Sequence, residues 1–383
     1  MLRATACRLK TLTIPIKPKK EFILHDGGKD QSTFPELRTE TTVESEKLME
    51  YFRTLTTYRR METLCDQAYK AKKIRGFCHL YIGQEAIALG MCNALDKDDQ
   101  IVTGYRDHVW YVARGGEPKH VFAEMMGKQL GCSKGKGGSM HMYSESGRFY
   151  GGNGIVGAQA SLGCGLAWKH SLTNGKENPK NCAVTLYGDG AANQGQIFEC
   201  FNMASLFKIP CIFVCENNHF GMGTAEAKGS AHPKFYKRCE YIPGLRVDGM
   251  DLFAVMEGTR WAREWTTKGN GPCILELDSY RYMGHSMSDP DSVYRTKDDV
   301  RKVRDERDCI VHMRKLILDN SVATEAELKA IEKDVKKTLE SALMEAEKAP
   351  TTNSEELWTD VYAPGTKYEG GLKTPQGSIY QAI

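Results

Sequence analysis

Residues 183–218 read AVTLYGDGAANQGQIFECFNMASLFKIPCIFVCENN, and the order of elements in this stretch decides the fold. Ala183 to Tyr187 is a short apolar run of β-formers, stopped by the turn Gly188-Asp189-Gly190. From Asn193 to Phe207 the apolar residues Ile197, Cys200, Phe201 and Ala204 recur at helical spacing. Pro210 closes the connection, and Cys211 to Cys215 is a second buried strand that ends at Glu216-Asn217-Asn218. Strand, helix and strand in this order form a parallel βαβ unit, whose two strands end on the same edge of the sheet. Open α/β sheets bind their ligands along that edge. Asp189 and Asn218 therefore stand side by side there, offering a carboxylate and an amide oxygen. Two hard oxygen ligands with coordination positions to spare suit magnesium, which keeps waters and phosphate oxygens around it.

The pattern predicts an α/β fold, a parallel sheet with helices on both faces. Gln100-Ile-Val-Thr103 reads as another strand, followed by Tyr105-Arg106. Residues 84–95 and 251–268 read as helices, and Cys273 to Leu277 as a strand. Thr41 with Glu44 forms a capping box that starts a long helix through Leu48, Met49, Phe52 and Leu55. The window 129–157, dense in Gly, Ser and Lys, predicts loops that approach a ligand closely. Residues 282–296 are a second loop, and the chain is charged and helical from Lys297. A second capping box, Thr324 with Glu327, opens the segment that runs toward Ala349.

At 383 residues the chain can bury a sizeable core, and no internal repeat divides it. Its 52 basic and 49 acidic residues are too balanced for a nucleic-acid binder. No apolar run approaches the ~20 residues that cross a bilayer. The charge is uneven at one end. Arg3, Arg8, Lys10, Lys17, Lys19 and Lys20 all precede the first acidic residue, Glu21, so residues 1–20 read as a mitochondrial transit segment. Removing those six charges would turn +3 into −3. Residues 21–40 then form an irregular arm, 41–362 the main domain with a helical C-terminal part, and 363–383 an extended tail. Thirteen cysteines without a single Cys-x-x-Cys pair read as reduced core thiols, as a mitochondrial matrix keeps them.

Two attractive motifs fail on context. Gly152-Asn-Gly154-Ile-Val-Gly157 matches a dinucleotide fingerprint, yet no strand precedes it and Glu177 lies in a loop. Lys134 and Lys136 lack the residue order of a phosphate loop and are read as lining an entrance or a subunit contact.

The Gly-Asp-Gly to Asn-Asn bracket resembles the thiamine diphosphate motif. Four further stretches narrow the likeness: GFCHL at 76–80, KGKGGSMH at 134–141, YGGNGIV at 150–156 and RYMGHS at 281–286. Together they resemble the alpha subunits of pyruvate dehydrogenase, the thiamine-dependent first component of its complex, from about Thr41 to about Tyr362. The resemblance implies the thiamine diphosphate-binding fold. It makes Asp189, Asn218 and the main-chain oxygen of Phe220 the magnesium ligands. It gives Tyr105, Arg106, Gly190, Ala191, Arg281 and His285 to the cofactor, and the backbone of Gly154 and Val156 to its aminopyrimidine ring. His79 faces the substrate side, and Arg106 and His285 stand with it as the catalytic group.

By the same likeness the reaction is oxidative decarboxylation of pyruvate, with the acetyl group passed to a lipoyl group of the acyltransferase component. The glutamate that activates the cofactor has no counterpart assigned here. A beta subunit in a two-alpha two-beta assembly is therefore expected to complete the site. Ser286 corresponds to the family's main inhibitory phosphorylation site, served by a kinase and a phosphatase. The second family serine falls at Val293, leaving Ser292 one place early, and the third falls at Ala225. The alternatives are the alpha subunit of a branched-chain 2-oxo acid dehydrogenase and a catalytically silent regulatory subunit.

Overall fold

The computed structural model describes residues 10–16, 22–175, 177, 179–357, 359–361, 372–373 and 379–380. The chain opens with β1 (Thr11–Pro15) and β2 (Ile23–His25), then β3 (Glu40–Glu44). The first long helices are α1 (Ser45–Lys70) and α2 (Glu85–Ala94), followed by β4 (Gln100–Val102), α3 (His108–Ala113) and α4 (Pro118–Met125). After the glycine-rich window come α5 (Gln159–Asn174), β5 (Ala183–Gly188), α6 (Gly195–Phe207) and β6 (Cys211–Asn217). A hairpin of β7 (Phe220–Gly221) and β8 (Thr224–Ala225) leads to the single turn α7 (Glu226–Gly229). Then follow β9 (Gly244–Asp248), α8 (Leu252–Trp265) and β10 (Cys273–Asp278). The C-terminal part is α9 (Lys297–Arg307), α10 (Cys309–Asp319) and α11 (Glu325–Lys348).

The central sheet has six strands in the order β2-β9-β10-β6-β5-β4. β4, β5, β6, β10 and β9 are mutually parallel, and β2 closes one edge antiparallel to β9. Strand side chains alternate between faces, and both faces here are apolar. Val184, Leu186, Ile212 and Val214 join one core with α1, α2 and α8. Ala183, Tyr187, Cys211, Phe213 and Cys215 join the other with α5 and α6. The βαβ unit is as the sequence predicts, with α6 beginning two residues later, after a short 3-10 turn at Ala191–Asn193.

Several expectations change at the ends. The capping box at Thr41 does not form: Thr41, Thr42 and Val43 are β-branched, and β3 pairs antiparallel with β1 instead. α1 starts at Ser45, and its N-cap, Glu44, makes no side-chain cap. The arm drawn at 21–40 supplies an edge strand of the main sheet, β2. Within the stretch read as a leader, Leu12, Ile14 and Ile16 are buried in the main core; residues 1–9 and 17–21 lie outside the described residues. The capping box at Thr324 and Glu327 does form, at 2.7 Å from Thr324 N to Glu327 Oε2. Of the tail at 363–383, only an antiparallel pair of Leu372–Lys373 and Ile379–Tyr380 is described. All described cysteines are free thiols and most are buried.

Candidate active site at the carboxyl ends of four strands

β4, β5, β6 and β10 lie side by side and end on one edge. Beyond their last residues come Tyr105 and Arg106, Asp189, Asn218, and Arg281 respectively, so four separate sequence motifs converge there. They enclose a cavity of about 320 Å³. Of the residues singled out from the sequence, Tyr105, Arg106, Val156, Asp189, Gly190, Ala191, Asn218, Phe220, Arg281 and His285 line it. A Cβ on Gly190 would stand 3.1 Å from Gly221 Cα, a tight contact, so glycine lets the Asp189 turn sit close against the hairpin that carries Phe220.

The cavity mixes buried charges of both signs. Burial pushes the Asp189 carboxyl up to about 6, although its own backbone N–H, His219 and Arg281 pull it down. Burial also lifts Glu216 to about 7, although Tyr81 donates a hydrogen bond to it. Arg106 gives one donor to Leu80 O (2.6 Å) and one to His285 O (2.9 Å). Burial and the neighbouring Arg281 lower it to about 10, so it stays charged at neutral pH. Arg281 is 1 % exposed, and its Nε donates to Asn218 Oδ1 at 3.1 Å. Its Nη2 reaches Phe220 O at 3.4 Å and Met222 O at 3.3 Å. A buried guanidinium thus touches two of the three oxygens assigned to the cation. That donor set, a buried carboxylate beside an amide and a carbonyl oxygen, fits a hard divalent cation.

His79 does not line the cavity but packs against two residues that do, its ring 4.4 Å from that of Tyr105 and 5.2 Å from that of His285. Its Nδ1 is buried and has no hydrogen-bond partner among the described residues. Burial first, then Arg106 and His285, push its pKa down to about 2. Burial, Arg106 and Arg281 lower His285 to about 4. Both rings are therefore neutral at physiological pH. Gly154 does not line the cavity, although Asn153 and Val156 on either side do.

The loop after β10 is irregular, as expected, but it is anchored. Asp289 accepts from His285 N (2.7 Å) and from the Tyr294 hydroxyl, and Met287 N donates to Cys78 O (2.9 Å). Ser286 Oγ lies 3.0 Å from Ser288 Oγ, and Ser292 is exposed.

Half of the glycine-rich window does something other than face a ligand. Glu124, fully buried on α4, accepts from the backbone N–H groups of Ser133, Gly135, Gly137 and Gly138 at 2.7–3.1 Å. The loop folds around an internal carboxylate. Lys134 and Lys136 line no entrance to the cavity; they pair with Glu356 and Asp360 and hold the C-terminal stretch. Sequence reasoning missed Gln84, whose Oε1 accepts from Asn218 Nδ2 (3.1 Å) and Ser279 Oγ (3.3 Å). It also missed His219, where hydrogen bonds to Asp278 and Glu226 overcome burial and raise the pKa to about 9. Neither carries a local signal, since Gln84 acts through Asn218 and Ser279, and His219 in part through Asp278, all remote in sequence.

A second cluster, Glu62, Cys65 and His108, brings its ligand atoms within 4.8 Å of one another. Glu62 is already engaged by Tyr81 N (3.0 Å) and His108 Nδ1 (2.9 Å), and His108 Nε2 by Ser139. The group is a hydrogen-bonded tie between α1, the His79 segment and the glycine-rich window.

A family profile described as the dehydrogenase E1 component matches residues 53–355. Among the relatives is the pyruvate dehydrogenase E1 component subunit alpha-1, mitochondrial, of Oryza sativa subsp. japonica. It is 53% identical over 331 residues, 86% of this chain and 83% of that protein. The corresponding alpha subunit of Dictyostelium discoideum is 53% identical over 346 residues, 90% of this chain and 87% of its own. That of Saccharomyces cerevisiae is 49% identical over 335 residues, 87% and 78% respectively.

Proposed function

The chain belongs to the dehydrogenase E1 component family, and from that premise we propose that it is the alpha subunit of a mitochondrial pyruvate dehydrogenase. The relatives named above carry that activity and compartment in their names. The observation that carries the reading is the convergence of Arg106, Asp189, Asn218, Arg281 and His285 on one cavity at the strand ends.

Thiamine diphosphate, when bound, supplies the carbon centre at which a 2-oxo acid loses carbon dioxide. In our reading Asp189, Asn218 and the carbonyl of Phe220 hold magnesium, and Tyr105, Gly190 and Ala191 lie against the diphosphate. The guanidinium groups of Arg106 and Arg281 are suited to neutralise and orient phosphate oxygens. Neutral His285 donates a hydrogen bond to the same group without adding charge. The backbone at Gly154 and Val156 faces the aminopyrimidine ring. His79, packed against Tyr105 and His285, donates to the keto or carboxylate oxygen of pyruvate.

A beta subunit completes the site in a two-alpha two-beta assembly, and the acetyl group leaves on a lipoyl domain of the acyltransferase component. In support, Ile155 is 73% and Val156 43% exposed, an apolar wall left open beside the cavity. Phosphorylation of Ser286 by a regulatory kinase, reversed by a phosphatase, adds nearly two negative charges next to His285. That charge repels both Asp289 and the bound diphosphate. Ser292 is exposed and is a second candidate. The relatives' names carry the mitochondrial compartment, and reduced thiols suit its matrix.

The test is turnover by this chain co-expressed with a matching beta subunit. Preference for pyruvate over branched-chain 2-oxo acids supports the assignment. Preference for branched-chain acids moves the chain to the sister activity, and a well-formed complex without turnover makes it a silent subunit.

A further inference from the structure

Asn218 and Phe220 face the cavity with a residue between them that does not. His219 has a φ of +70°, a left-handed backbone that a non-glycine residue holds only when its surroundings impose it. Those surroundings are explicit. Nδ1 lies 2.9 Å from Glu226 Oε1 and Nε2 lies 2.8 Å from Asp278 Oδ1, so both ring nitrogens are held by carboxylates. Glu226 follows the β7–β8 hairpin and Asp278 ends β10, so the ring ties the hairpin to the sheet. The backbone is fixed by the same partners. His219 N donates to Asn217 Oδ1 (3.0 Å), Glu226 N to His219 O (3.0 Å) and Asn217 Nδ2 to Glu226 Oε2 (2.7 Å). Neither His219, Glu226 nor Asp278 lines the cavity.

We propose that His219 is a positioning residue of the cation site: clamped between Glu226 and Asp278, it fixes the turn that aims Asn218 Oδ1 and the Phe220 carbonyl into the cavity. The proposal rests on reading those two oxygens as magnesium ligands. It assigns His219 no contact with cofactor or substrate. Its loss therefore weakens cation binding and leaves the chemistry intact once the site is full. Partners that orient metal ligands in this way are worth 10–100-fold in metal affinity.

The experiment uses the assembled alpha–beta complex and reads magnesium-dependent binding of thiamine diphosphate by calorimetry, alongside kcat. His219→Ala is expected to raise the magnesium dissociation constant at least tenfold while kcat at saturating magnesium changes by less than about twofold. His219→Arg, whose forked donors reach two carboxylates, restores most of the affinity. An unchanged dissociation constant in His219→Ala overturns the proposal. Should that variant fail to assemble, Glu226→Gln reads the same quantity, and unchanged affinity there overturns it equally. Asp189→Ala separates the two levels. Wild-type binding that needs magnesium and is lost in Asp189→Ala upholds the site itself, whatever His219 does. Wild-type binding without any need for magnesium removes both.

Discussion

His79 is 5 % exposed, lies between Tyr105 and His285, and faces two arginines. Its folded-state pKa, about 2, lies below the unfolded value of about 6.5. Below pH 6.5 the unfolded chain binds a proton that the folded chain refuses, so stability is lost as pH falls from 6.5 toward the folded pKa. Between pH 7 and 5.5 this one group costs about 1 kcal/mol. Denaturant titrations at both pH values should show a shallower loss in His79→Gln than in wild type. Equal losses would mean that the ring titrates normally. The sequence disclosed this residue only through the GFCHL stretch and its family likeness. Its neutrality comes first from burial and then from Arg106 and His285, which the fold brings near. Gln84 and His219 were illegible for a like reason: Asn218 and Ser279 for the one, and Asp278 for the other, stand at other strand ends.

At the level of elements, periodicity was enough for β5, α6 and β6, because both faces of the sheet are covered and apolar runs have one reading. It failed where pairing partners were remote. Thr41 with Glu44 satisfied a local helix-start rule, yet the ladder to Thr11–Pro15 outweighed it. That ladder yields a prediction about the stretch read as a leader. Leu12, Ile14 and Ile16 are 4–7 % exposed, and burying such side chains is worth roughly 1.5–3 kcal/mol each. A chain lacking residues 1–20 should be several kcal/mol less stable than the full one. Equal melting temperatures would make β1 dispensable. Glu124 makes a second prediction at this scale. Glu124→Gln turns an acceptor oxygen into a donor facing backbone N–H groups, so it should cost about 2 kcal/mol in chemical denaturation. No loss would mean that the loop at 133–138 does not depend on this carboxylate.

For the whole molecule, one sheet edge gathers residues that are spread over some two hundred positions of sequence, and the cavity so formed has an open apolar flank at Ile155 and Val156. The glutamate that activates the cofactor is unassigned in this chain. The purified chain, given magnesium, thiamine diphosphate and pyruvate, should therefore turn over at a few per cent or less of the rate of the complex. Robust turnover by the chain alone would dispense with the beta subunit. The central claim is that Asp189 and its neighbours at the strand ends hold a magnesium-bound diphosphate. The most direct measurement is pyruvate decarboxylation by the alpha–beta complex, with and without magnesium and thiamine diphosphate, for wild type and Asp189→Ala. The account predicts turnover that requires both additions and disappears in the variant. Turnover that survives Asp189→Ala, or proceeds without magnesium, would contradict it.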